Sequence, residues 1–255
     1  MLFGILLQGL FIFLVLATSL PSRNIQPIEK RTSPQIKGYD SLQRTQIKDG
    51  LTDALTMAKT VLTADDASVD NILKKYFPIA DKSKIVGVFE KITGGESMEY
   101  EGAAILRRLT IADDDEDITE EEREDEGVLL NYKSMNAIMV LFPYAFEKGG
   151  IDKGYTGVAA VTCQTIGNQL SESMETTGSV ILHEFMHWHY LTVPPLSTEA
   201  DDLDNGYGPY NVRYTVPRDQ AIKNADSFTW FAIETFWTKH CSHEFEDPDN
   251  CLEYE

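Results

Sequence analysis

The run His183-Glu184-Phe185-Met186-His187, which reads H-E-x-x-H, constrains this chain more than any other feature. In an α-helix, residues i and i+4 lie on one face, so both imidazoles can reach a single metal ion with Glu184 beside it. Two neutral nitrogen ligands, an open coordination position and a carboxylate base are what metal-assisted peptide hydrolysis requires. The motif therefore predicts a metal-binding helix with His183 and His187 as ligands.

The residues around the motif favour a helix that is buried on most sides. Gly178 is a plausible start, and apolar residues surround the motif: Val180, Leu182, Phe185, Met186 and Leu191. The alternative is a structural core helix whose histidines hydrogen-bond to backbone carbonyls. We prefer the metal site, because buried imidazoles and a buried carboxylate each need a partner.

Two further short motifs follow along the chain. Asp204-Asn205-Gly206-Tyr207-Gly208 reads D-x-x-Y-G, and Asn224-Ala225-Asp226 precedes an aromatic-rich helical segment. In this order the three motifs resemble those of the aspzincins, the deuterolysin-like and lysine-specific metallo-endopeptidases that fungi secrete. The chain departs from the family at Ala200-Asp201-Asp202-Leu203, where aspzincins have a Gly-Thr pair.

The resemblance implies a zinc site and assigns its ligands. His183, His187 and Asp204 would bind Zn²⁺, the expected cofactor. Three neighbouring aspartates leave the choice of the third ligand open, and Asp204 is favoured over Asp201 and Asp202 by its spacing from Tyr207.

The resemblance also implies the catalytic roles. Glu184 would be the general base that takes a proton from the zinc-activated water. Tyr207 would donate its phenol to the oxyanion, which stabilises developing negative charge. Asp226 would lie near the substrate pocket or behind the ligands, and the sequence leaves open whether it receives a substrate lysine.

The other histidines and the three cysteines allow further interpretations. His189 is either an auxiliary ligand or, as we prefer, a residue on another face of the helix. His240-Cys241-Ser242-His243 with Cys251 could form a second metal site, but a disulfide is favoured in an oxidising compartment. Cys241 with Cys251, or Cys163 with either of them, are all allowed pairings.

The amino-terminal residues predict secretion. Residues 1–19 are almost all apolar and end in small residues, which is typical of a signal peptide, although the stretch has no Lys or Arg. An uncleaved amino-terminal anchor is the alternative. Residues 20–40 are predicted to be a flexible or propeptide segment, and residues 41–255 a single domain. We expect an extracellular protein with no stable membrane association after signal cleavage.

The net charge of the chain limits the kinds of partner that it can bind. The formal net charge is −19, and residues 113–126 contain eleven acids and one base. Like charges at this density repel one another, so 113–126 is predicted to be an exposed loop or a disordered insertion. An acidic surface argues against nucleic acid and anionic membranes as partners. The partners expected of an endopeptidase are protein or peptide substrates. We expect a monomer.

The hydrophobic pattern predicts the order of the elements. Helices are expected at 41–63, 69–77 and 85–92, strands at 128–132, 137–142 and 158–162, then the H-E-x-x-H helix and a last helix at 219–239. This order fits an α+β, zincin-like fold that is mostly helical, with a small sheet and a central H-E-x-x-H helix.

Two functions of different classes remain from the sequence. The first, which we prefer, is a secreted zinc-dependent endopeptidase, because Glu184 and Tyr207 are both present. The second is a non-catalytic secreted zinc-binding protein of related fold, which the His- and Cys-containing tail and the missing Gly-Thr pair favour. A family member with neither activity is a third possibility.

Overall fold

The computed structural model describes residues 33–95 and 102–249. The predicted signal peptide, residues 1–19, and Cys251 both lie outside this part of the chain. No helix within it combines the length and the apolar character that crossing a bilayer requires.

The described residues form eight α-helices, which make up most of the regular structure. Their bounds are Ser41–Thr63 (α1), Asp66–Tyr76 (α2), Lys82–Thr93 (α3), Pro143–Phe146 (α4), Thr177–His187 (α5), His189–Thr192 (α6), Gly208–Tyr214 (α7) and Ala225–Cys241 (α8). α1 packs against α3, α5 and α8, and α5 also packs against α8. The H-E-x-x-H helix, α5, thus contacts the two longest helices, α1 and α8.

Four short strands of the described residues form one mixed sheet. They are Gln35–Ile36 (β1), Thr110–Ala112 (β2), Gly127–Leu130 (β3) and Ile138–Leu141 (β4), arranged in the order β1-β2-β4-β3. β1, β2 and β4 are parallel, whereas β3 runs antiparallel to β4 and occupies the edge. Helices packed beside a small sheet confirm the α+β class.

Local sequence explains where the central helices begin. The Asp40 side chain accepts hydrogen bonds from two backbone amides at the start of α1, and Gln43 completes a capping box. Thr176 and Ser179 form a second capping box at the start of α5. Gly178 is required at the crossing with α1, because a Cβ there would lie 2.8 Å from the Gly50 carbonyl oxygen.

Helices α5 and α8 are both almost entirely buried. Nine of the eleven residues of α5 are buried, including both Phe185 and Met186. In α8 every residue from 225 to 237 is buried. α8 is thus buried although Asp226, Ser227, Thr229, Glu234 and Thr235 are polar, and it packs against α5.

Most of the predicted helices are confirmed. α1 has the predicted bounds, and α2 and α3 cover the next two predictions with small shifts at their ends. The last helix begins at residue 225 rather than 219, because the backbone of Lys223 and Ala225 hydrogen-bonds to Asp201 instead of continuing a helix.

The predicted strands are confirmed at 128–132 and 137–142, although both are shorter. The strand predicted at 158–162 is wrong. Val158 pairs with Tyr155 and Val161 with Ile151 as isolated bridges, so this segment closes on its own neighbours and forms no ladder. β1 lies inside the segment 20–40 that we predicted to be flexible, and its pairing with β2 ties residues 35–36 to the sheet.

The acidic segment 113–126 is a mostly exposed loop, as predicted, with one short 3₁₀ turn at Glu122–Glu124. Its conformation is held by an ion pair of 2.8 Å between Arg123 and Asp114 and by hydrogen bonds from Thr119 to Glu122. The loop ends where the edge strand β3 begins, so its last carboxylates lie beside the face of α5.

Candidate metal centre

His183 and His187 lie one turn apart on α5, as the motif predicts. Their Nε2 atoms are 3.3 Å apart and their ring centroids are 5.1 Å apart. Both rings face the same cleft beside β3 and the loop that follows α6. The i, i+4 spacing therefore does bring two nitrogen donors to one point.

The third donor is Asp202, and the prediction of Asp204 is corrected. One Asp202 carboxylate oxygen is 3.1 Å from His183 Nε2, and the other is 3.3 Å from His187 Nε2. Among the described residues, His183, His187 and Asp202 form the one group that could hold a metal ion. Asp204 is exposed and lies outside this group, because the chain turns between Leu203 and Gly206, where the Gly206 amide donates to the Leu203 carbonyl oxygen.

The hydrogen bonds of the two rings set their tautomers. His187 Nδ1 lies 3.0 Å from the Ala200 carbonyl oxygen, which only accepts, so Nδ1 carries the proton. His183 Nδ1 lies 3.1 Å from an Asp226 carboxylate oxygen and donates to it in the same way. Both Nε2 lone pairs are then directed at Asp202. Metal-binding histidines have this arrangement, with the second nitrogen donating to a carbonyl or carboxylate.

Three acceptor groups that face one another at this distance require positive charge between them. Burial lowers the pKa of His183, but the hydrogen bonds and charges of Asp202 and Asp226 outweigh it and hold the pKa well above its usual value. Burial also opposes ionisation of His187, yet its pKa is raised by Asp202 and Glu184. Burial raises the pKa of Asp202, but the two imidazoles lower it far below the ordinary range. A divalent cation meets the same electrostatic demand as the protons.

Glu184 lies beside the group and is not part of it. Its side chain is 4% exposed, and its Oε2 atom has no hydrogen-bond partner among the described residues. Burial raises its pKa, while the nearby imidazoles oppose this rise. Gly127 of β3 lies over the carboxylate, where a Cβ would come within 3.2 Å of Oε1. An unpaired carboxylate of this kind is costly unless it has a ligand or a proton to hold.

Tyr207 and Asp226 lie on the other side of His183. The Tyr207 ring stacks near the His183 ring at 6.0 Å, and half of Tyr207 is exposed to the cleft. Partial burial raises the Tyr207 pKa, and the charge and hydrogen bond of Asp202 raise it further, so the phenol keeps its proton. Asp226 also accepts the Gly208 amide at 2.7 Å. One carboxylate thus supports both a histidine and the residue next to Tyr207.

The cleft above these residues has a volume of about 970 Å³. The edge strand β3 forms one wall, and the end of the acidic loop extends that wall with Glu122, Glu124, Asp125 and Glu126. Burial raises the pKa of Asp125, and Asp202 raises it further, so the acidic loop lies within the electrostatic field of the centre. Eleven carboxylates and three lysines line the cleft, which is therefore strongly negative.

The chain matches no model of a known protein family and no curated protein.

The remaining histidines lie elsewhere. His189, which we expected on another face, begins α6 and hydrogen-bonds to Glu199 at 3.1 Å. His240 hydrogen-bonds to Asp152 at 2.9 Å. Cys241 forms a disulfide with Cys163, which confirms the predicted disulfide and makes Cys241 unavailable for the alternative metal site in the tail.

Two residues of the site, Asp202 and Asp125, were not assigned to it from the sequence. Asp202 was one of three candidates and carried no local signal that distinguished it from Asp204. Asp125 belongs to the acidic segment, which we interpreted only as a solvated loop. Asn224, which is buried, is visible in the sequence as the first residue of the Asn-Ala-Asp motif.

Proposed function

We propose that this protein is a secreted, zinc-dependent endopeptidase with a zincin-like arrangement of helix and edge strand. The observation that carries the proposal is the buried Glu184 carboxylate. It has an unpartnered oxygen, and it lies next to a His-His-Asp group at the base of an open cleft. Metal binding alone does not need this carboxylate, whereas hydrolysis needs a base at this place.

The three donors fit zinc. Two imidazole nitrogens and one carboxylate oxygen are a ligand set that catalytic zinc sites use, and the cleft leaves space for a further ligand. Bound Zn²⁺ would act as a Lewis acid on the scissile carbonyl and would lower the pKa of the attacking water.

Glu184 has the position of a general base. Burial raises its pKa, which makes the carboxylate a stronger base. In the proposed reaction Glu184 takes the proton of the attacking water and then delivers it to the leaving amine nitrogen. Gly127 keeps the space above the carboxylate free of a side chain.

Tyr207 and β3 provide the other two functions that peptide hydrolysis needs. The protonated Tyr207 phenol would donate to the developing oxyanion. β3 is an edge strand that lines the cleft, so an extended peptide could add to it through main-chain hydrogen bonds.

Two features support the proposed setting and partners. The Cys163–Cys241 disulfide is typical of proteins from oxidising compartments, in agreement with secretion. The negative cleft favours peptides over nucleic acids, because phosphate groups would be repelled. The alternative is a non-catalytic zinc-binding protein, which the same three donors would equally support.

Glu184→Gln separates the two functions. The purified wild-type protein and the variant are loaded with Zn²⁺, metal content is measured by mass spectrometry, and hydrolysis is followed with casein and a lysine-containing peptide. We expect both proteins to bind one zinc, and the variant to lose about 10²- to 10⁴-fold in kcat/KM. Glu124→Gln, which changes an exposed carboxylate of the same cleft, is the matched control. Zinc binding without any Glu184-dependent cleavage would favour the non-catalytic alternative.

A further inference from the structure

Asn224 is a polar residue that is 1% exposed and lies at the start of α8. Its Oδ1 atom accepts the Leu203 amide at 3.2 Å. Its Nδ2 atom donates to the Gly206 carbonyl oxygen at 2.9 Å and to Ser227 Oγ at 3.0 Å. The amide therefore bridges both ends of the 203–206 turn and uses its donors and its acceptor together.

The backbone on the other side of Asp202 is held by the same segment. The Asp201 amide donates to the Lys223 carbonyl oxygen at 2.7 Å, and the Ala225 amide donates to the Asp201 carbonyl oxygen at 2.9 Å. Asp202 is therefore flanked by fixed backbone atoms on both sides, all of them bound to residues 223–225. The Asp202 carboxylate is one-third exposed and contacts both imidazoles.

Gly206 is also needed for the contact between the 203–206 turn and Asn224. A Cβ at residue 206 would lie 2.4 Å from Asn224 Oδ1 and 2.8 Å from the Leu203 carbonyl oxygen, distances that a side chain cannot occupy. The turn can pack against the amide only because residue 206 has no side chain. Asn205, in the same turn, adopts a positive φ of 56°, which asparagine tolerates better than most residues.

We propose that Asn224 is a positioning residue for the metal centre. By fixing the 203–206 turn, its amide holds Asp202 against the two imidazoles and leaves Asp204 in solvent. This inference rests on the proposed use of the centre for metal binding, but it does not require that the protein hydrolyses peptides. It assigns to the Asn of the Asn-Ala-Asp motif a role that is separate from that of Asp226, which contacts His183 directly.

Two substitutions test the contact between Asn224 and the 203–206 turn, one in each partner. Asn224→Ala removes the amide, whereas Gly206→Ala keeps the amide and displaces the turn from it. Zinc affinity is measured for each full-length protein by competition with a chromophoric chelator, and the thermal unfolding of each metal-free protein is recorded beside it. Thr235→Val is the matched control, because Thr235 is buried on the same helix and its hydroxyl donates to the Phe231 carbonyl oxygen of that helix.

We expect each of the two turn variants to weaken zinc binding roughly 10- to 100-fold, the effect typical of losing a group that orients a ligand. The double variant should lose less than the product of the two single losses, because both act on one turn. Thr235→Val should lower the unfolding temperature without changing zinc affinity.

The outcomes distinguish this inference from the proposed function. A folded Asn224→Ala protein that binds zinc as tightly as the wild type would overturn the inference, even if the wild type cleaves peptides. A wild-type protein that binds zinc but cleaves nothing would overturn the endopeptidase and, with weakened variants, support the positioning role. Failure of the wild type to bind zinc would overturn both.

Discussion

Asp226→Asn is the substitution whose effect follows most directly from the geometry of the centre. The Asp226 carboxylate accepts two hydrogen bonds, from His183 Nδ1 at 3.1 Å and from the Gly208 amide at 2.7 Å. Asparagine has the same shape but only one acceptor oxygen. Its NH₂ group must therefore face one of these two donors.

Both orientations of the asparagine harm the site. If the NH₂ group faces His183, the ring must accept at Nδ1 and carry its proton on Nε2, which removes the lone pair directed at Asp202. If it faces Gly208, two donors oppose each other and the backbone beside Tyr207 loses a hydrogen bond to a charged group, worth about 1.5–3 kcal/mol. Substitution of such partners typically weakens metal binding about 10- to 100-fold. This corresponds to about 1.4–2.8 kcal/mol of metal-binding free energy.

The assay is a zinc competition titration at neutral pH, with Asp152→Asn as the control. Asp152 also pairs with a histidine, His240, at 2.9 Å, but this pair lies outside the metal centre. We expect Asp226→Asn to weaken zinc binding and Asp152→Asn to leave it unchanged. Equal zinc affinity of Asp226→Asn and the wild type would refute the conclusion that the two hydrogen bonds of Asp226 support the metal centre.

Three further outcomes are expected from the same structure. Asp202→Asn should weaken zinc binding more than Asp226→Asn does, whereas Asp204→Asn should leave it unchanged. If a zinc titration instead showed a loss for Asp204→Asn and none for Asp202→Asn, the ligand predicted from the sequence would be correct. Zinc affinity should fall as pH is lowered, because protons compete with the metal for the imidazoles. Burial opposes protonation of both rings, but Asp202 and its neighbours outweigh it and raise the imidazole pKa values. Calorimetry over a pH series measures the zinc affinity, and a pH-independent affinity would contradict this prediction. Replacing Cys163 and Cys241 by serine should lower the free energy of unfolding by about 2–4 kcal/mol, because the disulfide joins residues 78 apart, and denaturant unfolding that matches the wild type would exclude this contribution.

The sequence by itself determined the features that depend on near neighbours. The H-E-x-x-H spacing placed His183 and His187 together because residues i and i+4 meet within any α-helix, whatever surrounds it. The four-residue step of apolar residues likewise predicted the bounds of α1. The charge density of 113–126 predicted a loop, since no packing could offset that repulsion.

Only the tertiary structure decided which aspartate joins the two imidazoles. Asp201, Asp202 and Asp204 are chemically identical, and the choice depends on backbone pairing with residues 223–225 and on the buried Asn224 amide. The partner of Cys241 and the edge position of β3 were also undetermined, because each depends on contacts between segments far apart in the chain. A local pattern specifies the geometry of one helix, whereas the third ligand requires two loops to meet in space.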